Sequence, residues 1–416
     1  MSVPQWIALM AIVALYVMLL GDWFHRAWVA LGLAVVLIVS GTVSARAAFF
    51  SINWNTIFLL GGMMVFVAYL GDAGLFTLLG RWARIFSQGK PWRLLWIFYV
   101  VAAVVSAFLD NVTTVLLLSP IIISASEELG VNPVPLLMVE VIASNLGGMA
   151  TLVGDPPNIL IGTAAHLSFV EFLTVLGPAA VLVLALLALV MPLFIRLQPG
   201  LATEAGPRPS QAAMPVSPRL KGLLVILAVM LALFVAQSQL HVALGYIAVA
   251  GAAAAVLYTR EIGWRWYRRV DYGTLGFFTG VFILVGALES SGFIQEVAGW
   301  IERPALGPEM ALFLFFGTAL FSAVLDNVPL VAALVPVLTT IVTRHPDFGV
   351  ELWLAVGLGA AIGGNATIIG ASANVVAQGI AIEHGYKLSF RDFSRFGVKV
   401  AAFTALIAAA YIVLRF

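Results

Sequence analysis

The 416-residue chain carries 21 Lys and Arg against 20 Asp and Glu, and 62% of its residues are apolar while only 10% are charged. Soluble domains hold about 25% charged residues, so this composition excludes an ordinary soluble enzyme and implies an integral membrane protein, while a net charge of +1 offers no electrostatic footprint for nucleic acid. With no cysteine, a disulfide framework, a thiolate metal site, a nucleophilic thiol and thiol redox chemistry are all excluded.

In chain order, the N-terminal stretch MSVPQWIALMAIVALYVMLLGDW has neither a basic leader nor a small-x-small cleavage site, and reads as a retained helix rather than a signal peptide. WNTIFLLGGMMVFVAYLGDAGLF, residues 54–76, returns as YGTLGFFTGVFILVGALESSGFI, residues 272–294. VVSAFLDNVTTVLLLSPI, from Val104, returns as LFSAVLDNVPLVAALVPV, from Leu320, and GGMATLVGDPPN, from Gly147, returns as GGNATIIGASAN, from Gly363. The chain is therefore two copies of one unit. Residues 196–221 between them are rich in Pro, Ala and Ser without apolar periodicity, a linker composition that divides an N-terminal repeat, 1–207, from a C-terminal repeat, 208–416. The five histidines fall in loops or at helix ends, which argues against a histidine metal site in the membrane.

Each repeat reads as three spans, a stretch split at Leu-Asp-Asn (94–126 and 310–342), a glycine-interrupted span (136–165 and 353–382) and a last span. The split stretches are expected to form re-entrant hairpins from two pieces too short to cross, because irregular backbone at membrane depth is tolerated only when buried in protein or lining a cavity. Five true crossings per repeat is an odd number, so the second repeat enters from the opposite side and the repeat is inverted. Basic residues agree with that count. Arg26 and the positive residues within 81–93, 196–221, 260–269 and 387–395 then share one face, as cytoplasmic loops require.

Asp110 with Asn111, and Asp326 with Asn327, begin the second piece of each hairpin, and ionisable groups at membrane depth are costly and usually functional. A plain helix cap is the competing explanation, although Ser or Thr would cap at lower cost in lipid. Thr113 and Thr114 follow the first tip, whereas Pro329 follows the second. Gly147, Gly148 and Gly154 with Pro156 and Pro157, and Gly363, Gly364 and Gly370 in the other copy, must break a helix. The freed carbonyls, together with Thr151, Asn158, Thr367 and Asn374, are candidate ligands for a small cation or a polyhydroxy solute; close helix packing is the bland alternative. Asp155 and Glu140 have no counterpart in the second repeat, where Ala371 and Val356 stand. Carboxylates able to take up a proton are the usual device for proton coupling. The glycine-rich segments lack Gly-Lys-Ser/Thr and are not phosphate loops, and no lytic or nucleophilic constellation is present.

The Leu-Asp-Asn-Val-Thr-Thr block and SNLGGMATLVGDPPN resemble the ion transporter superfamily, most closely its arsenite/antimonite permease and sodium/proton antiporter branch, which includes the pigmentation P-protein. The resemblance spans nearly the whole chain. It implies an all-α, elevator-type inverted-repeat transporter of the cytoplasmic membrane, usually a homodimer, without a cofactor and without nucleic-acid partners. A cytoplasmic ATPase is a candidate partner for the basic loops 81–93 or 260–269, and the sequence does not decide whether one docks. Asp110 and Asp326 precede the asparagines where dicarboxylate carriers have serine, and would repel a dianion by about 1 kcal/mol or more at contact. Dicarboxylate uptake is thereby disfavoured, as is an ion channel; the residues themselves do not decide between arsenite and sodium, and the resemblance makes proton-coupled export of arsenite or antimonite the leading expectation and sodium/proton exchange the alternative.

Overall fold

The computed structural model describes residues 2–21, 24–197, 217–260, 267–301, 308–346 and 349–415. The expected repeat boundary at 207/208 and most of the linker fall outside these residues. Among the described residues the first repeat forms α1 (Val3–Leu20), α2 (Arg26–Val39), α3 (Ala45–Ser51), α4 (Trp54–Asp72), α5 (Leu75–Ser87), α6 (Pro91–Ser106), α7 (Asn111–Glu128), α8 (Val134–Gly148), α9 (Pro156–Ala164) and α10 (Phe169–Phe194). The second forms α11 (Pro218–Val235), α12 (Gln237–Leu240), α13 (Leu244–Thr259), α14 (Tyr272–Ser290), α15 (Phe293–Ile301), α16 (Pro308–Ser322), α17 (Asn327–Arg344), α18 (Gly349–Gly363), α19 (Ser372–Glu383) and α20 (Phe390–Arg415).

Local signals set these boundaries. Asn53 and Asp271 cap the equivalent helices α4 and α14 by accepting from the backbone N–H three residues on, satisfying donors that have no partner inside the helix. Ser168 and Glu171 close a capping box at α10. Pro91 and Pro218 open α6 and α11, where a missing N–H costs nothing.

Six of the described helices are long and apolar enough to cross a membrane: α4, α10, α11, α14, α17 and α20. Large apolar side chains stand outward along them and their neighbours, with Leu193 80% and Leu414 87% exposed. Such surfaces suit hydrocarbon rather than water. The molecule is an all-helical membrane protein.

The hairpin pieces are longer than half-length. With 16 residues in α6 and 18 in α7, they measure about 24 and 27 Å at 1.5 Å per residue. The difference arises because α6 starts at Pro91, ahead of the apolar run, and α7 continues through Ser-Ala-Ser-Glu-Glu to residue 128. A polar end does not stop a helix whose buried face still packs.

Packing is reciprocal between the repeats. α2 lies against α14 as α4 lies against α13, and α7 lies against α19 as α17 lies against α9. Within each repeat α6 packs on α8 and α16 on α18. Each hairpin's second helix thus rests on the other repeat's short helix after the break, which brings both Leu-Asp-Asn tips to the centre.

Candidate functional site

Four helix N-termini converge there: α7 and α17 at the tips, α9 and α19 after the breaks. Asp110 occupies the cap position of α7, where its carboxylate accepts from Thr113 N (2.8 Å) and Thr113 Oγ1 (2.5 Å). Asp326 occupies the cap position of α17, accepting from Val328 N (3.0 Å) and from Ser372 Oγ (2.5 Å) of α19. The capping alternative therefore describes the geometry of both tip aspartates. It does not describe Asp155. Asp155 precedes α9 at the cap position, yet its side chain makes no cap bond; its Oδ2 accepts instead from Asn327 Nδ2 at the opposite tip (3.2 Å). Its Oδ1 is buried without a partner, and Asp110 and Asp326 lie close enough to interact with it electrostatically. Unpartnered buried oxygens are uncommon and call for an explanation.

The broken segments are laced shut rather than open. Asn158 Nδ2 donates to Gly148 O (3.0 Å) and Thr151 O (2.8 Å), and Asn374 Nδ2 donates to Gly364 O (2.8 Å) and Thr367 O (2.8 Å). Thr151 Oγ1 donates to Ala107 O, and Thr367 Oγ1 donates to Ala323 O (2.6 Å), in the turns just before each tip. These four residues, read as solute ligands from sequence, use these donors otherwise: the asparagines tie each break to the helix that follows it, and the threonines hold it against its own hairpin. A carbonyl at an unwound turn is a free ligand only if no nearby side chain claims it, and here asparagine does.

Glycine makes the same junction close. A Cβ on Gly147 would lie 2.2 Å from Ala103 O, and one on Gly363 would lie 2.1 Å from Ala319 O. Both glycines sit in the last helical turn and serve the packing of α8 on α6 and of α18 on α16. Gly148, Gly154, Gly364 and Gly370 line the contacts just beyond them, while Pro156 and Pro157 start α9.

An amide cluster, of which the sequence reading named Asn111 and Asn374 but passed over Asn145 and Asn365, occupies the crossing of the repeats. Asn111 Nδ2 donates to Asn145 Oδ1 (3.0 Å), and Asn145 Nδ2 donates to both Asn365 Oδ1 (2.9 Å) and Asn374 Oδ1 (2.9 Å). Ser144 Oγ donates to Asn111 O (3.2 Å). Thr114 Oγ1 is buried nearby on α7 without a partner. The signal was present: Ser144-Asn145 precedes one Gly-Gly and Asn365 follows the other, and polar side chains in an otherwise apolar helix are seldom idle. Asn145→Leu is expected to leave three amides without their shared partner, at about 1–3 kcal/mol for each group that stays unsatisfied; a thermal melt of the detergent-solubilised protein reads this as a clear fall.

Glu140 stands apart from the cluster. Its Oε2 accepts from Ser119 Oγ (2.7 Å) on α7, and its Oε1 has no partner. Ser119 is eight residues beyond Asn111, about 12 Å along the helix, so Glu140 does not share the site of the three aspartates. The sequence groups Glu140 with Asp155 because neither has a counterpart in the second repeat, and that shared asymmetry does not fix a shared place in the fold.

The assembled site offers three carboxylates, one with an uncommitted oxygen, beside a hydrogen-bonded amide set contributed by both repeats. Residues 16–342 and 307–416 match the family described as CitMHS, citrate transporter. An uncharacterized transporter of Mycobacterium tuberculosis is 37% identical over 425 residues, covering 99% of this chain and 98% of the relative. The P protein of Sus scrofa is 29% identical over 503 residues, with 98% of this chain matching 59% of that longer protein. Among solved structures, the YdaH transporter of Alcanivorax borkumensis superposes with a TM-score of 0.59 at 15% identity, covering 91% of this chain and 87% of that one. MtrF of Neisseria gonorrhoeae, described with a class of antimetabolite efflux pumps, superposes with a TM-score of 0.56 at 14% identity over 99% and 94% of the two chains. These likenesses concern fold alone. On the family match the chain is a secondary transporter and belongs to the CitMHS citrate transporter family.

Proposed function

We propose that the protein is a proton-coupled exporter of arsenite or antimonite in the cytoplasmic membrane, working as an inverted-repeat elevator. The observation that carries the coupling half is Asp155, buried, with one oxygen committed to Asn327 and the other to nothing. A carboxyl in that setting can bind and release a proton or a small cation without dismantling a hydrogen bond. Thr114, whose buried hydroxyl has no partner, and the amides of Asn111 and Asn145, exchanging their mutual bonds for bonds to the solute, supply the polar surface for an uncharged trihydroxy species, and Asp110 and Asp326 hold the tips beside it. Reciprocal packing of α7 on α19 and of α17 on α9 supports an inverted relation between the repeats. The homodimer rests on the family resemblance, and an ATPase is a candidate partner for the basic loops.

A second reading is favoured by the family description. Citrate would meet three carboxylates at this site, and like charges in a dry pocket repel strongly, so citrate would bind only together with a cation that neutralises it. Everted vesicles with an imposed pH gradient separate these cases. Arsenite that accumulates and dissipates the gradient supports the first reading; citrate uptake that depends on an added divalent cation supports the second. Dissipation by Na⁺ alone identifies a sodium/proton exchanger.

Asp110→Asn and Asp326→Asn test the tips. Asparagine caps a helix about as well as aspartate, so both variants are expected to fold and lose gradient-driven transport. Near-normal transport in both, measured in the same vesicles, would reduce the tip aspartates to caps.

A further inference from the structure

The repeats also differ at the first residues of α2 and α13, the helices that pair with α14 and α4. In α2 that residue is Arg26. Its Nη1 donates to Ser372 Oγ (2.8 Å) on α19, its Nη2 donates to Thr274 Oγ1 (2.7 Å) on α14, and the guanidinium lies 5.6 Å from the centre of the Phe277 ring. Each hydroxyl passes the contact to a carboxylate: Ser372 Oγ donates to Asp326 Oδ2 and Thr274 Oγ1 to Asp271 Oδ2, both at 2.5 Å. Burial works against the ionised form of Asp271, but the bonds from Thr274 and the charge of Arg26 outweigh it and keep that carboxyl below its ordinary range. One guanidinium thus ties α2 and α14 to the tip of α17 by a charge-assisted bridge.

In α13 the equivalent residue is Leu244, and in place of a bridge there is a cavity of about 230 Å³. Asn55, Thr163, His166 and Gln237 give it polar walls, Leu152 and Leu244 apolar ones, and no acidic residue is among those that line it. Across it the contact between Asn55 Nδ2 and Thr163 Oγ1 is long, at 3.5 Å. Leu152 belongs to the broken segment, between Thr151 and the run that ends at Asp155, and is itself buried. Gly162 gives it room, since a Cβ there would lie 2.0 Å from Leu152 Cδ2.

We infer that this cavity is the mouth by which a small hydrogen-bonding solute without positive charge reaches the first broken segment, with Leu152 as its floor, and that Arg26 straps the equivalent mouth of the other repeat shut. The inference rests on the transport reading above and adds to it an access route, a strap and a solute class. Two conformations follow from it, and whatever weakens the strap raises the population of the other one.

The cysteine-free chain makes the test direct. Thr163→Cys places a single thiol in the cavity, to be reacted with a membrane-impermeant sulfonatoethyl methanethiosulfonate in right-side-out and inside-out vesicles. The expected result is modification from one face only, with a Leu182→Cys reference, on the lipid-facing side of α10, unreactive. Modification from both faces, or none, overturns the mouth. Adding Arg26→Leu is expected to slow modification at Thr163→Cys by at least about tenfold, because losing even one charge-assisted hydrogen bond of the strap biases the two states by about that factor. An unchanged rate overturns the strap. Arg26→Lys keeps the charge but not the two-pronged donor and should give an intermediate rate; should Arg26→Leu fail to fold, an unchanged rate in Arg26→Lys overturns the strap. Thiol modification does not depend on the transported solute, so failure of arsenite transport would leave this result standing and overturn only the substrate reading.

Discussion

Asp155→Asn is expected to abolish gradient-driven transport to background without destabilising the protein. The amide oxygen of the variant still accepts from Asn327 Nδ2, which now donates to the carboxylate, so the contact between α9 and the tip of α17 survives. What disappears is the ionisable group. Asp155 is buried, with the carboxyls of Asp110 and Asp326 as neighbours, and replacing an ionisable group there with a neutral amide removes both a desolvation cost and a source of like-charge repulsion. Stability is therefore expected to hold or rise while coupling is lost. Vesicle acidification assays and thermal melts on one preparation check both halves. Transport within about threefold of the parent would remove Asp155 from the coupling step, a difference worth less than about 1 kcal/mol. A large fall in melting temperature would instead make it a structural residue.

Gly363→Ala and Gly317→Ala are expected to move stability in opposite directions. The added Cβ at Gly363 would stand 2.1 Å from Ala319 O, a contact with backbone that no side-chain rotation can relieve. Separating α18 from α16 to admit it costs about 1–3 kcal/mol, as overpacking of cores does. At Gly317, on the same α16, nothing lies within 4 Å of the new atom, and Gly to Ala inside a helix gains about 0.5–1 kcal/mol. Detergent melts of the two variants check this directly. Equal shifts would show that α16 and α18 are not held at the distance described.

Legibility differed from element to element. The all-helical membrane class followed from composition, because an apolar fraction this high cannot be hidden from water by a core of this size. The repeat was legible because Leu-Asp-Asn-Val and Gly-Gly-x-Ala-Thr recur residue for residue. Helix starts were marked by proline and by capping side chains. Lengths were less legible: α7 runs past its apolar segment, since tertiary packing extends a helix that hydropathy alone would end.

At the site, sequence identified the aspartates and asparagines at each tip and part of the polar set at each break, missing Asn145 and Asn365, and it did not show how they share hydrogen bonds. Asn145 is joined to Asn365 and Asn374, 220 and 229 positions away. Arg26 reaches Ser372 across 346. No local pattern encodes such pairs, because they depend on how α2, α8 and α19 cross.

The sequence by itself determined that this chain lies in a membrane, that it is built twice from one unit, and that each unit carries an aspartate and an asparagine where lipid would forbid them without cause. Only the tertiary structure decided which of those groups are spent and which are free. It laced Asn158 and Asn374 to the breaks, made caps of Asp110 and Asp326, set Glu140 apart, and left one oxygen of Asp155 without a partner. The physical reason is that composition fixes the number of donors and acceptors, whereas their pairing is settled by distances of about 3 Å between segments that only the completed fold brings together.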